Sequence, residues 1–301
     1  MMPQHFLSIL DLDADGAHAL VRRAAAMKAE RQRSELLAGE TVILIFEKAS
    51  TRTRVSFEVG VRQLGGNSLL MTPAESQLGR SEPLADTARV LSRYCRGIVV
   101  RTFGQDKLDE LAHYATVPVI NALSDQYHPC QVMSDMLTMY ERTPQLDTLK
   151  VAWVGDGNNM AHSFINAAAL FGFELGLACP EGYDPDPNVL AVAREHGARI
   201  VLTRDPEEAC DGAHYVNTDV WSSMGQEQEQ QRREKAFAGF QVNENLMAVA
   251  DRGAYFMHCL PAHRGEEVSA GVIDGPRSII FDQAENRLHM QKAIMEWIFT
   301  K

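Results

Sequence analysis

Short apolar runs alternate with helix-spaced segments along most of this chain, and that alternation restricts its fold more than any other feature. Runs at 41–46, 68–71, 97–101 and 117–121 have strand length, and the intervening segments 52–64 and 83–95 carry apolar residues three and four apart. A second series follows at 151–154, 175–178, 199–202, 214–217, 255–257 and 278–281. Strands alternating with helices read as βαβ units, which build a parallel sheet covered by helices. An amphipathic helix is expected at 13–37, before the first strand. Another, at 130–142, leads into the turn-rich 143–147 between the two series. The expectation is therefore an α/β chain of two domains, each a parallel β-sheet flanked by helices, with boundaries at 1–142 and 143–282. A last helix over 283–299 carries Leu288, Met295 and Ile298, which need a surface to cover.

A length of 301 residues, 45% of them hydrophobic, can fill two cores. Forty acidic against 29 basic residues give a net charge of −11, and no Lys/Arg run supplies a patch, so no nucleic-acid partner is expected. The five cysteines have no C-x-x-C spacing, which suits a reducing compartment better than a disulfide framework. The opening residues lack a basic stretch followed by an apolar one, and no apolar segment approaches the ~20 residues of a spanning helix. A cytoplasmic protein without a membrane partner is expected.

Where the run 41–46 ends, the chain reads Ser50-Thr-Arg-Thr-Arg54 and then begins a helical pattern. Ser50 is a good cap, so Ser50, Thr51, Arg52 and Thr53 fall where unpaired backbone N–H groups and the positive end of a helix meet solvent. Hydroxyls and a guanidinium there suit a phosphate. The bland alternative is a capping box with surface arginines, and for Arg54 it is the better reading, because Glu58 lies one turn on. His128-Pro-Cys-Gln131 repeats the arrangement: Pro129 fits a first helical turn, with His128 at its mouth and Gln131 close by. A lone histidine before a helix is more often a cap or core group, and a strand-ending arginine such as Arg101 is usually a solvated terminus. Both gain weight because loops after parallel strands share one carboxyl edge.

In the second series, Val154-Gly-Asp-Gly-Asn-Asn159 lacks the full G-x-G-x-x-G, so dinucleotide binding is a weak inference and an ordinary βα loop the alternative. Asp219-Val-Trp-Ser-Ser-Met-Gly225 offers a carboxylate suited to an amine, or simply a loop pinned by Trp221. His258-Cys-Leu-Pro-Ala-His263 presents a thiol that can be a nucleophile, a ligand or a polar contact. Two histidines and a cysteine make half a zinc site, which no other Cys/His cluster completes, so no metal is expected.

In order and spacing, Ser50-Thr-Arg-Thr-Arg54, His128-Pro-Cys-Gln131, Asp219-Val-Trp-Ser-Ser-Met-Gly225 and His258-Cys-Leu-Pro261 resemble the motifs of the carbamoyltransferases, over essentially the whole chain, with Gln77-Leu-Gly and Ala85-Asp-Thr-Ala-Arg89 adding to the match. The Ser-Met-Gly loop and His-Cys-Leu-Pro are similar to the ornithine branch of that family, although Ser222 stands where the family often has Val or Thr. The resemblance implies a carbamoyl phosphate domain (1–142) onto which the C-terminal helix (283–301) packs back, and an ornithine domain (143–282). It implies that Ser50, Thr51, Arg52, Thr53, Gln77, Arg101, His128, Gln131, Cys259, Leu260 and Arg287 serve carbamoyl phosphate, with Arg101, His128 and Cys259 catalytic. Asn159, Asp219, Ser223 and Met224 would hold ornithine. It further implies transfer of a carbamoyl group to ornithine's δ-amine, a homotrimer or assembly of trimers, and neither cofactor nor metal. The alternatives are a relative acting on another amine, such as putrescine or an acylated ornithine, and, outside this class, an NAD-linked or a periplasmic-type binding protein.

Overall fold

A computed structural model describes residues 3–73, 82–222 and 230–300. The chain forms two compact units, 1–137 with 285–301, and 138–284. The first contains α1 (Ala14–Ala29), β1 (Thr41–Phe46), α2 (Arg52–Gln63), β2 (Asn67–Met71), α3 (Leu84–Leu91), β3 (Gly97–Arg101), α4 (Gln105–Tyr114) and β4 (Val119–Leu123), and α5 (Pro129–Tyr140) begins in it. Its four strands are all parallel, in the order β2-β1-β3-β4. The central strands β1 and β3 are almost wholly buried, because helices cover both faces of the sheet, whereas edge strand β2 alternates. Ile43, Ile45, Ile98 and Val100 pack with Ala88, Leu91, Leu108 and Leu111 of α3 and α4.

The second unit follows with β5 (Lys150–Val154), α6 (Asn159–Phe171), β6 (Glu174–Ala178), α7 (Pro187–Glu195), β7 (Arg199–Thr203), α8 (Pro206–Cys210), β8 (Tyr215–Thr218), α9 (Gln230–Ala236), α10 (Glu244–Val249), β9 (Tyr255–His258) and α11 (Ala270–Ile273). Its five strands are also parallel, in the order β7-β6-β5-β8-β9. Chain order reverses between β1 and β3 in one sheet and between β5 and β8 in the other. Each unit thus has one switch point, where loops leave in opposite directions and open a crevice at the carboxyl edge.

The last helix, α12 (Ile280–Phe299), supplies its C-terminal part to the first unit. Gly60 of α2 meets Met295 and Lys292 so closely that an added Cβ would lie 3.0 Å from Met295 Cε. Lys292 Nζ donates to Gln32 O (2.6 Å) and Gln63 Oε1 (3.0 Å), and Arg23 pairs with Glu296 at 2.6 Å. Arg96 donates to Phe299 O at 2.7 Å, satisfying a carbonyl at the helix end. Met295 and Ile298 are buried and Leu288 is half-buried.

Several expected elements differ; the helix expected at 83–95, for one, spans only Leu84–Leu91. Residues 278–281 form no strand: Phe256 N–H bonds Arg277 O and Ile279 N–H bonds Phe256 O, a single bridge, before the chain enters α12. The first helix ends at Ala29 rather than 37, since Arg31 takes a positive φ of 48° and turns the chain. β4 begins two residues later than expected.

Candidate functional site

At the first switch point, β1 ends at Phe46 and α2 starts at Arg52. The cap is Thr51, not Ser50, and neither side chain accepts a hydrogen bond from the first turn. The reason is conformational: Thr51 already has helical dihedrals (φ −85°, ψ −60°), not the extended backbone from which a capping side chain reaches forward. The first-turn amides of α2 are therefore left without a capping side chain, as anion binding requires. Arg52 is half-buried there, and its Nε has no hydrogen-bond partner among the described residues. Arg54 turns outward and pairs with Glu58 at 2.8 Å.

Thr53 is buried and accepts a short hydrogen bond from Arg287 Nη2 of α12. His128 precedes α5, whose first turn begins on its carbonyl (Gln131 N–H at 3.1 Å). Burial holds its imidazole well below the usual range, and the guanidinium groups of Arg287 and Arg101 push the same way. His128 is thus a neutral donor or acceptor near pH 7, in the field of two arginines. Gln131 gives its amide nitrogen to Asp135 (2.8 Å), leaving Oε1 buried and unpartnered among the described residues. Ser50, Thr51, Arg52, Thr53, Arg101, His128, Gln131 and Arg287 all belong to this unit. Gln77 lies outside the described residues.

The second switch point has the opposite charge. Asp219 follows β8 and gathers groups from both neighbouring strand ends. Asn158, after β5, donates to its Oδ2 at 3.1 Å, while Oδ1 accepts from Cys259 Sγ, after β9, at 3.2 Å and from Val220 N–H at 2.8 Å. Asn158 simultaneously caps α6 through Met160 and Ala161 N–H. Gly157 is needed there because a Cβ would lie 2.2 Å from Pro185 N. That glycine serves loop packing, which removes the little support the partial glycine pattern gave to dinucleotide binding.

The Asp219 loop is pinned as its tryptophan suggested. Trp221 is buried and stacked on Phe237 (5.8 Å, 30°), and Arg233 joins Trp221 O and Asp156 Oδ2, each at 2.6 Å. Burial raises the Asp156 carboxyl, Arg233 opposes that, and Asp219 adds to it. Asn159 opens α6 beside Asn158; Ser223 and Met224 lie outside the described residues. Cys259 and Leu260, assigned by resemblance to carbamoyl phosphate, stand in this second unit with Asp219.

Asp219, His258 and Cys259 bring ligand-type atoms within 4.8 Å of one another, as do His263, Glu266 and Glu267. The carboxylate of Asp219 is a ligand type that the search for Cys and His alone passed over. Yet both His258 nitrogens are engaged: Nδ1 accepts from Leu260 N–H (2.9 Å) and Nε2 faces Glu267 Oε1 (3.1 Å). That leaves Asp219 and Cys259, too few for a closed tetrahedral site. Sequence reasoning missed the bridging Asn158, although an Asn before a helix is itself a start signal, and it missed the Asp156–Arg233 clamp, which has no local signal.

A cationic site at one switch point and a carboxylate site at the other define a two-domain α/β protein suited to an anion and an ammonium group. Family models agree: the carbamoyl-P binding domain of aspartate/ornithine carbamoyltransferase matches residues 4–141, and its Asp/Orn binding domain matches 147–298. The chain belongs to the aspartate/ornithine carbamoyltransferase family. It is 66% identical over 297 residues to an ornithine carbamoyltransferase of Oleidesulfovibrio alaskensis, covering 99% of each chain. It is 64% identical over 300 residues to one of Nitratidesulfovibrio vulgaris, covering 100% of each. Among solved structures, the ornithine carbamoyltransferase of Pyrococcus furiosus superposes with a TM-score of 0.93 at 46% identity, covering 98% of this chain and 96% of that one.

Proposed function

We propose that this protein transfers the carbamoyl group of carbamoyl phosphate to the δ-amine of L-ornithine, giving L-citrulline and phosphate. The opposite charge of the two switch-point sites carries the reading: one substrate is an acyl phosphate, an anion, the other an amino acid with an α-ammonium. High identity along the full length of curated ornithine carbamoyltransferases supports the same reading over transfer to another amine.

In this reading the phosphate sits on the first turn of α2, held by Ser50, Thr51, Arg52 and Thr53, with Gln77 and Arg287 completing the charge. Gln131 Oε1, a buried acceptor, takes a hydrogen of the carbamoyl NH2. Arg101 and neutral His128 point donors at the carbonyl oxygen, where negative charge develops as the amine adds. The new C–N bond forms, the C–O bond to phosphate breaks, and the proton lost by nitrogen is taken by the departing phosphate. The attacking amine must be neutral, although an alkylamine has a pKa of about 10.4, so the rate rises with pH through the neutral range. Asp219, steadied by Asn158 and Cys259, holds the α-ammonium; Asn159, Ser223, Met224 and Leu260 border the chain.

We also place the protein in the cytoplasm, in keeping with five free cysteines, and read it as a homotrimer or assembly of trimers, which light scattering tests. Among the described residues, no helix is long and apolar enough to cross a membrane. The functional test is a citrulline assay with carbamoyl phosphate and a panel of amines. Ornithine is expected to be the preferred acceptor by orders of magnitude; equal turnover of putrescine or an acylated ornithine would overturn the assignment.

A further inference from the structure

We infer that Glu47 is a positioning residue that fixes the direction of Arg101; the inference rests on the role just given to Arg101. Glu47 is the first residue beyond β1, at the switch point itself. Its N–H donates to Arg101 O (2.8 Å), so β1 and β3 stay paired to the last residue of β3. Its carboxylate accepts a short hydrogen bond from Thr102 Oγ1, and Lys107 Nζ of α4 lies 3.3 Å from both carboxylate oxygens.

On the other side of β3 the pairing is irregular. Val100 pairs with Asn121, but Arg101 pairs with Leu123, a register break between Val100 and Arg101. Such irregularities re-aim a side chain and twist the strand. Here the break falls on the one arginine of β3, and Thr102 N–H bonds Leu123 O (3.0 Å) to hold it. The Arg101–Thr102 peptide is thus gripped from β4 through Leu123 and from β1 through Glu47. Thr102 is buried, so its hydroxyl needs an acceptor, and the carboxylate supplies it. Replacing the Glu47 side chain leaves the backbone bond from residue 47 to Arg101 O but removes the carboxylate's hold on Thr102, so the irregular segment loses its one side-chain anchor from β1. A displacement of about 1 Å at an oriented catalytic group can cost on the order of a hundredfold in rate.

Lys107 is half-exposed and lies against the Glu47 carboxylate from the solvent side, whereas the link to Arg101 runs through Thr102. The three contacts therefore separate. Glu47→Ala and Thr102→Val should each lower kcat by roughly tenfold or more, with the KM for ornithine little changed. Glu47→Gln, whose amide oxygen still accepts from Thr102, should restore most of kcat, and Lys107→Met should stay near the parent.

The decisive experiment combines Glu47→Ala with Arg101→Ala, reading kcat/KM and the carbamoyl phosphate Kd. If Glu47 acts through Arg101, its removal costs little once Arg101 is gone. Multiplying losses in the double variant, or a parent-like kcat in Glu47→Ala, would overturn the inference. Should Glu47→Ala fail to fold, the Thr102→Val and Glu47→Gln pair in the same Arg101→Ala background gives the same reading. The parent's own citrulline formation judges the functional assignment separately, and if that fails, the carbamoyl phosphate Kd of the same variants still decides the role of Glu47.

Discussion

The two switch points use the same architecture for opposite electrostatics. In the first unit, Arg101 and Arg287 act on a buried histidine, Arg52 opens α2, and the N-terminus of α2 adds its own positive field. In the second, Asp219 collects an amide and a thiol as donors, and Arg233, which pins its loop, is committed to Asp156 and a backbone carbonyl. Parallel sheets provide the crevice in both units; the loop residues alone decide which charge it welcomes. The first site is built from a helix start, a strand end and two buried side chains, Thr53 and His128, while the second hangs on a loop anchored at Trp221.

The largest effect should come from the cationic side. Arg52→Ala removes charge-assisted bonds worth roughly 1.5–3 kcal/mol each, so carbamoyl phosphate kcat/KM should fall by about a hundredfold or more in a folded protein. Steady-state kinetics checks it, and a loss confined to ornithine would break the comparison. Asp219→Asn comes next: ornithine kcat/KM should fall by about ten- to a hundredfold, since the neutral amide keeps a hydrogen-bond acceptor but not the charge.

A smaller effect concerns acid. His5, His128 and His289, all in the first unit, are held below their usual 6.5, chiefly by burial. Below pH 6.5 the unfolded chain takes up protons that the folded chain refuses, so stability is present above that pH and declines as pH falls towards the depressed folded values. The raised Asp11 and Asp156 have the opposite sign. Thermal midpoints should therefore drop between pH 7 and 5, and His128→Gln should flatten the slope. Smallest is Arg54→Ala, which loses an exposed i,i+4 pair worth about 0.3–0.5 kcal/mol and should leave kinetics near the parent.

The central strands were legible because burial on both faces leaves a bounded apolar run: β1 and β3 match their predicted limits residue for residue. At 278–281 that same signal misled, since four apolar-rich residues entering a helix look like a strand when periodicity has no room to show. The site motifs were legible as loop chemistry at strand ends. What joins them was not. The switch points depend on strand order, which no local pattern carries, and Asp219 meets Cys259 across 40 positions of sequence. Likewise, Ser50 looked like the cap because composition cannot register that Thr51 is already helical.

The central claim is that the two charged sites divide the substrates between them. Equilibrium titration of Asp219→Asn with carbamoyl phosphate tests it most directly. The expected result is a Kd within about twofold of the parent's, in a variant whose ornithine kinetics are impaired, because Asp219 is assigned no contact with carbamoyl phosphate. A carbamoyl phosphate affinity weakened as much as the ornithine kcat/KM would contradict the division.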